Sequence, residues 1–508
     1  MRNRDVAAML ERAALLLALR QEDRYRVRAY KRATWIVASL PEKVEDLARE
    51  NRLEALPGIG PSLAAKIKEI VETGRLSVLE KLESAALPEK TSGMIMSAPA
   101  LAFARELLPV VESFDGVYSA RITGALRRGQ AMVPCLEFVL ACDISRAREA
   151  IKSYKHFHRQ RWQGYCCHAT HTLGVELTFH LAEKRDFIQT LWLTTGSREH
   201  VNRVAAMAKS NSGTELLRLG LDKEIAAEED IYALAGLPFI EPEIRENRGE
   251  ITAAFRGELP RLIEACDYRG DLHVHTDWSD GTAGIEQMAG AAAELGYEYL
   301  AITDHSRSLK IAGGLSLERL AAQIQVIKDL QKACSIRIFT GIEVDILPDG
   351  SLDAPVEVLA GLDVVVASVH SAFRQSKEQM TARICRAMQN PYVQIIGHPT
   401  GRLLNKRKAY EVDMEELLKV AAATGTILEI NATPDRLDID DNTARKAKAA
   451  GILLAVNTDA HSQTELANAA LGLSVARRAW LSREDVINTA SARDVQALLQ
   501  RKRTGGRR

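Results

Sequence analysis

The chain has 508 residues, with 67 Lys+Arg balanced by 67 Asp+Glu, so its formal net charge is zero. No global field selects nucleic acid or an acidic partner, and any such affinity must come from local patches. With 46% hydrophobic and 26% charged residues the composition is that of an ordinary globular protein rather than a disordered chain. At roughly 100–200 residues per domain, the length predicts about three to four domains.

Met1 to Asp5 lead into an arginine-bearing amphipathic pattern and not an apolar signal segment. No apolar run approaches the roughly 20 residues of a membrane helix. A cytoplasmic protein without a membrane partner is expected. The seven cysteines contain no C-x-x-C pair, which fits a reducing compartment. Cys166-Cys167-His168 is a weak metal signal, because adjacent cysteines rarely chelate one ion; no metal is expected there.

Residues 3–80 carry apolar residues at helical spacing, as in Val6, Leu10, Ala13, Leu16 and Leu17. One tight break, Leu56-Pro57-Gly58-Ile59-Gly60, precedes a helix expected at 62–72 and ended near Gly74. Residues 84–98 lack periodicity and are expected to form a linker. Residues 100–250 mix short strands, expected at 120–123, 136–141 and 175–179, with a helix at 197–209. Leu237-Pro238 and Glu241-Pro242 punctuate the end of this region.

From Asp271 onward strands and helices alternate. Strands are expected near 271–275, 299–304, 337–343, 363–369, 394–398, 426–431 and 453–457. Helices at 317–332, 414–423 and 442–450 lie between them. Repeated βα units imply a parallel sheet, and this many imply a closed barrel of seven strands. The end of the chain, with Arg501-Lys502-Arg503 and Arg507-Arg508, reads as a basic tail, either solvated or touching phosphate.

The strand ends carry the chemistry. The first gives His273 and His275, with Asp280 in the loop beyond. The second gives Asp304 and His305, the third Glu343, the fourth His370 and the fifth His398. Asp459 and His461 follow the seventh. Parallel barrel strands deliver these ends to one face. Of the twelve histidines in the chain, the six beyond residue 250 all belong to this set. Imidazole and carboxylate without thiolate suit zinc, manganese or iron. Nine donors (His273, His275, Asp280, His305, Glu343, His370, His398, Asp459 and His461) exceed the needs of one ion, so two to three divalent ions are expected, with Glu343 as a bridge. Clustered cations activate water and stabilise phosphoryl charge, so phosphoester hydrolysis follows. The nucleophile is a metal-held water, with no separate protein base assigned. Amide hydrolysis or deamination uses similar water with fewer ions.

The segments His273-Val274-His275-Thr276, Ser279-Asp280-Gly281, Thr303-Asp304-His305, Gly341-Ile342-Glu343, Ser368-Val369-His370, Gly397-His398-Pro399 and Asp459-Ala460-His461 resemble the polymerase-and-histidinol-phosphatase (PHP) domain over 269 to about 498. The resemblance implies a distorted seven-stranded barrel with three metals. It implies one metal on His273, His275, Glu343 and Asp459. A second falls on Glu343, His370 and His398, and a third on Asp280, His305 and His461.

The break at Leu56, Pro57, Gly58, Ile59 and Gly60 is a helix–hairpin–helix turn, whose backbone N–H groups and following helix start suit a DNA phosphate. Residues 3–82 resemble the small N-terminal domain of family X DNA polymerases, and Lys66 falls where lyase-active members carry a Schiff-base lysine. Gly124-Ala125-Leu126-Arg127-Arg128-Gly129, Thr195-Gly196-Ser197 with His200, Ile231-Tyr232 and 236–243 resemble that family's palm and thumb. The departures matter. The family's three magnesium-binding aspartates fall at Cys135, Glu137 and Glu176. Cysteine is a poor ligand for a hard cation, and a glutamate shifts its oxygens by about 1.5 Å. Ala125, Val201 and Ala205 replace the family's serine, asparagine and arginine. Only 84–98 stands where the family has its fingers.

The architecture expected is therefore multidomain α and α/β. A helical hairpin domain (1–83) is followed by a linker replacing the fingers (84–98) and a degenerate α+β palm and thumb (99–250). A second linker (251–268), a distorted (β/α)7 barrel (269–498) and a basic tail (499–508) complete it. The expected function is metal-dependent hydrolysis of DNA, as 3′→5′ exonuclease or 3′-end processing in repair, on duplex with ends, gaps or nicks. Magnesium-dependent polymerisation is not expected. A small-molecule phosphatase of the histidinol-phosphatase type, a non-enzymatic DNA-binding scaffold and a still-active repair polymerase are the alternatives.

Overall fold

The computed structural model describes residues 1–20, 22–84, 93–221 and 225–504. It divides into two compact units, Met1–Leu259 and Pro260–Arg508.

The first unit opens with five helices, α1 (Asn3–Leu19), α2 (Arg24–Ser39), α3 (Val44–Arg49), α4 (Pro61–Thr73) and α5 (Ser77–Ser84). Val6, Leu10, Ala13 and Leu17 form the buried stripe of α1. Pro61 occupies the first turn of α4, where its missing N–H costs nothing, and Gly74 ends the helix at φ +69. Residues 85–92 of the expected linker lie outside the described residues. The rest of it is not irregular: Ile95–Met96 pairs antiparallel with Met132–Val133, and Ser97 starts α6 (Ser97–Glu112).

Five strands follow: β1 (Val117–Thr123), β2 (Leu136–Cys142), β3 (Phe157–Gln163), β4 (Cys166–His171) and β5 (Glu176–Ala182). They form one sheet in the order β1-β2-β5-β4-β3. Only β2 and β5 run parallel, with Glu137 opposite Thr178 and Val139 opposite His180. The β3–β4 hairpin was not legible in the sequence. A single apolar core runs from Val6 through Ile67 and Phe103 to Leu181, so the opening helices and this sheet share one interior. Beyond the sheet, Ser197 caps α7 (Arg198–Ser212) by accepting from the His200 N–H.

The second unit holds seven strands, β6 (Gly270–Val274), β7 (Tyr299–Ile302), β8 (Arg337–Asp345), β9 (Val364–Ser368), β10 (Ile395–Ile396), β11 (Ile427–Asn431) and β12 (Leu454–Asn457). Each pairs in parallel with the next in sequence. Past the last strand, Val274 bridges Ala460 in parallel and the His275 N–H donates to the Ala460 carbonyl at 2.8 Å. The seven-stranded barrel is thus nearly closed, with β10 only two residues long.

Helix α8 (Ala492–Arg503) plugs one end. Its Val495 and Leu499 join Leu272, Tyr299, Phe339 and Val364 in the barrel core. This corrects the expected basic tail from 499. Lys502 is 9% exposed and donates to the Met388 carbonyl and the Thr426 hydroxyl, while Arg503 donates to the Ala360 carbonyl. Arg507 and Arg508 lie outside the described residues. Among the described residues no helix is long and apolar enough to cross a membrane.

Candidate metal centre

The strand ends of the barrel converge on Glu343. Its Oε1 lies 3.4 Å from His273 Nε2, 3.4 Å from His370 Nε2 and 3.0 Å from His398 Nε2. Its Oε2 lies 2.8 Å from His305 Nδ1 and 3.5 Å from His275 Nε2. Asp459 Oδ1 stands 3.1 Å from His275 Nε2 and 3.7 Å from His273 Nε2. Asp280 Oδ1 meets His461 Nε2 at 3.3 Å and His305 Nε2 at 3.5 Å.

All nine sequence-assigned donors therefore come together, although they span 273–461. Three groups have donor atoms mutually within 4.8 Å: His275, Asp280, His305 and His461; His273, His275 and Asp459; and His305, Glu343 and His370. The grouping differs in detail from the one implied by resemblance. His275 reaches two groups, His305 reaches Glu343 as well as Asp280, and His398 approaches through Glu343 alone.

Several residues unassigned from sequence orient these donors. Glu429 accepts from His273 Nδ1 at 2.7 Å, from the His398 N–H at 2.7 Å and from Asn457 Nδ2 at 2.9 Å. Asn431 Nδ2 donates to Glu429 and to Asp459 Oδ2 at 3.1 Å. Asp345 accepts from His370 Nδ1 at 2.5 Å. Such partners fix the tautomer that leaves the other ring nitrogen free for a metal. Asp304, adjacent to His305, accepts instead from the Thr276 N–H and from Gln323, and so shapes the loop. Arg436 completes the wall. Its Nε lies 3.8 Å from Asp459 Oδ2, and its Nη1 is buried without a hydrogen-bond partner.

Two observations test whether cations fit. Buried His273 Nε2, both ring nitrogens of His275, His305 Nδ1, His398 Nδ1 and Glu343 Oε2 make no well-directed hydrogen bond, although His305 Nδ1 and Glu343 Oε2 stand 2.8 Å apart. A protein does not leave six such atoms dry without cause, since each costs about 1–3 kcal/mol. The buried acids Glu343, Glu429, Asp459 and Asp345, with the exposed Asp280 beside them, also crowd one pocket, where their mutual repulsion is offset by positive charge. The imidazoles register that potential. Burial opposes it, yet Glu343 and Asp345 push His370 up to about 9. Burial and the nearby Arg436 hold His398 down at about 4. His398 and Asp459 sit at φ +29 and +51, a region side-chain-bearing residues seldom enter, and such strain concentrates at functional sites. The donor set fits two to three divalent ions of the zinc, manganese or iron type.

The palm is built differently. Glu137 Oε2 lies 3.3 Å from His180 Nε2, and Glu176 accepts from the Thr170 hydroxyl at 3.0 Å. Cys135 accepts from Thr178 at 3.9 Å, and burial, reinforced by Glu137, raises its thiol to about 11. Arg127 is paired with Glu228, and Arg128 Nε with Glu246 at 3.0 Å. At the hairpin, Ile59 anchors the turn in the core while Gly60 caps α4. Gly58 holds φ +94, and a Cβ there would collide with the Arg32 guanidinium. Leu56 and Pro57 lead into this turn, and Lys66 Nζ donates to the Ser62 hydroxyl at 2.7 Å.

A helical hairpin domain, a polymerase-like palm and thumb and a PHP-type metal barrel define the class: a DNA-processing protein with a phosphoesterase module. Family models match accordingly: "Helix-hairpin-helix domain" over 1–76, "DNA polymerase beta thumb" over 190–246 and "PHP domain" over 271–433. The chain is 32% identical to "DNA polymerase/3′-5′ exonuclease PolX" of Bacillus subtilis (strain 168), covering 99% of this chain and 100% of the relative. Its barrel half is 32% identical to probable phosphatases of Thermoanaerobacter sp. (strain X514) and Caldanaerobacter subterraneus, over 46% of this chain and 96% and 93% of theirs. The chain belongs to the bacterial DNA polymerase X family with a C-terminal PHP domain.

Proposed function

We propose that the barrel hydrolyses phosphoesters at DNA 3′ ends, as a 3′→5′ exonuclease or 3′-phosphatase, and that the palm no longer polymerises. The observation that carries the first half is the nine-donor pocket with its buried, partnerless ring nitrogens and its carboxylate Glu343 at the centre. When bound there, divalent ions supply Lewis-acid charge for a phosphoryl centre and make water nucleophilic at neutral pH. The protein's own residues do the rest. Glu429 and Asp345 hold His273 and His370 in one tautomer and orientation. Arg436 offers its free Nη1 to a phosphoryl oxygen beside Asp459. Asp280, 34% exposed, marks the solvent side, where a strand end would enter.

DNA as substrate is supported by the helix–hairpin–helix match over 1–76, with its turn at residues 56–60 followed by the helix that bears Lys66, and by the exonuclease name of the Bacillus relative. Loss of polymerisation is supported by Cys135 at an aspartate position and by Arg127 and Arg128 being engaged by Glu228 and Glu246. The alignment with that relative also extends over 573 positions, 65 more than this chain's 508 residues. The probable phosphatases matching the barrel alone support a second reading, a small phosphomonoester substrate.

The test is hydrolysis of 3′-labelled and 3′-phosphorylated oligonucleotides with manganese, beside a panel of small phosphomonoesters. Wild type should shorten or dephosphorylate the DNA, and chelator or His370→Ala should stop it. Identical behaviour of wild type and His370→Ala refutes the proposal, and turnover of phosphomonoesters alone selects the second reading.

A further inference from the structure

The palm carries a second set of metal-ligating side chains, chemically unlike the barrel's. Cys166 and His168 are two apart on β4, so both point to one face, while Cys167 between them is buried on the other. Adjacency in sequence had argued against a site here; the strand removes that objection by separating the two cysteines. His180 on β5 is the direct cross-strand neighbour of Cys166, and Glu137 on β2 lies beside it. Three adjacent strands thus place a thiol, two imidazoles and a carboxylate in a row.

The spacing of the first donor pair suits a thiophilic ion. Cys166 Sγ lies 3.7 Å from His168 Nε2. Tetrahedral zinc, with bonds of about 2.3 Å to sulfur and about 2.0 Å to nitrogen, sets its ligands about 3.5 Å apart. Both rings are also held from behind. His168 Nδ1 meets the Thr178 hydroxyl at 3.1 Å, and His180 Nε2 meets Glu137 at 3.3 Å. Metal-binding histidines are anchored in this way through their second nitrogen. The Cys166 thiol is also within interaction range of His180.

We propose that the palm sheet binds one zinc-class divalent ion through Cys166, His168 and His180, with Glu137 orienting His180. Cys166 lies between the two rings, and a small approach of His168 and His180 with their Thr178 and Glu137 contacts kept closes the row around the ion. Binding releases the Cys166 proton. The ion braces β2, β5 and β4 in a sheet whose hard-cation site is gone. The site does not depend on what the barrel hydrolyses.

Cobalt(II) titration of the full-length protein tests this, because sulfur-to-cobalt charge transfer reports thiolate ligation and no barrel donor is a thiol. Wild type should develop that band with one equivalent of cobalt. Cys166→Ala should abolish it and lower bound zinc by one ion per chain, and Cys135→Ala should keep it. His168→Ala, at an exposed position that leaves the fold intact, should weaken the cobalt site at least about tenfold. No band in wild type, a band that survives Cys166→Ala, loss of the band in Cys135→Ala, or unchanged affinity in His168→Ala each overturns the proposal.

Discussion

The barrel mouth and the palm both collect ionisable side chains, yet they treat them in opposite ways. In the barrel, His273 Nε2, both ring nitrogens of His275, His305 Nδ1 and His398 Nδ1 are buried without a well-directed hydrogen bond. In the palm, Glu137, Glu176, Arg127 and Arg128 are each satisfied by His180, Thr170, Glu228 and Glu246. Partnerless buried groups await a ligand. Mutually satisfied groups have become part of the scaffold. That contrast, more than the identity of any one residue, underlies the proposal of a hydrolytic barrel beside a palm that no longer polymerises.

The largest effect expected is at the centre of the barrel. Glu343→Gln keeps the shape but removes the charge that five imidazoles share. Manganese-dependent DNA hydrolysis should fall by about three orders of magnitude, the upper range for losing one charge-stabilising group. Bound metal should fall with it. The matched change in the palm, Glu137→Gln, should leave hydrolysis unaltered. Comparable losses from both, in an oligonucleotide cleavage assay, would erase the distinction between the two regions.

The contrast is sharpened by reversing the palm. Cys135→Asp with Glu137→Asp restores a carboxylate at the first magnesium position and aspartate length at the second. Under the proposal primer extension should stay absent, because Arg127 and Arg128 remain in their ion pairs with Glu228 and Glu246. Extension by the double variant, or by wild type, would show that the palm is a polymerase in repair and not a relic.

Two smaller effects probe the barrel wall. Arg436→Gln should raise KM more than it lowers kcat and cost about 10–100-fold in kcat/KM, the worth of about 1.5–3 kcal/mol for a hydrogen bond to a charged group. Bound metal should be unchanged, which separates a substrate contact from a structural one. Glu429→Gln should instead reduce metal affinity by about 10–100-fold, since it acts through His273 and His398. Equal metal content in Glu429→Gln and wild type would remove that role.

The sequence made the nine donors legible because they lie at or just beyond strand ends in a run of βα units, and no other histidine occurs beyond residue 250. Glu429 and Asn431 lie inside a strand that is buried throughout, so nothing local marks them as hydrogen-bonded to metal ligands. The β3–β4 hairpin was hidden for another reason. Phe157–Gln163 is an edge strand with mostly exposed residues, charged and without apolar alternation, so strand periodicity is absent. Lys502 read as a solvated tail because a basic run near a chain end usually is one. Only packing reveals that α8 continues beneath the barrel.

Lys502 also gives the smallest effect and the last test of how charges are handled. Buried charges of the thumb are paired, Arg245 with Glu228 and His200 with Glu250. Lys502 faces the Met388 and Val393 carbonyls and the Thr426 hydroxyl, and no carboxylate hydrogen-bonds to it. Burial lowers its pKa from 10.5 to about 7. Between those values the unfolded chain holds a proton that the folded chain has released, so this group's contribution to stability rises with pH across that window. Below about pH 7 both states are charged, and the contribution is flat at its least favourable. Relative to Lys502→Met, wild type should therefore gain up to about 2–3 kcal/mol between pH 7 and 9, at 1.36 kcal/mol per unit. Urea unfolding at both pH values measures it. Parallel pH slopes for the two proteins would mean that the lysine stays charged in the folded barrel, held by carbonyl dipoles alone.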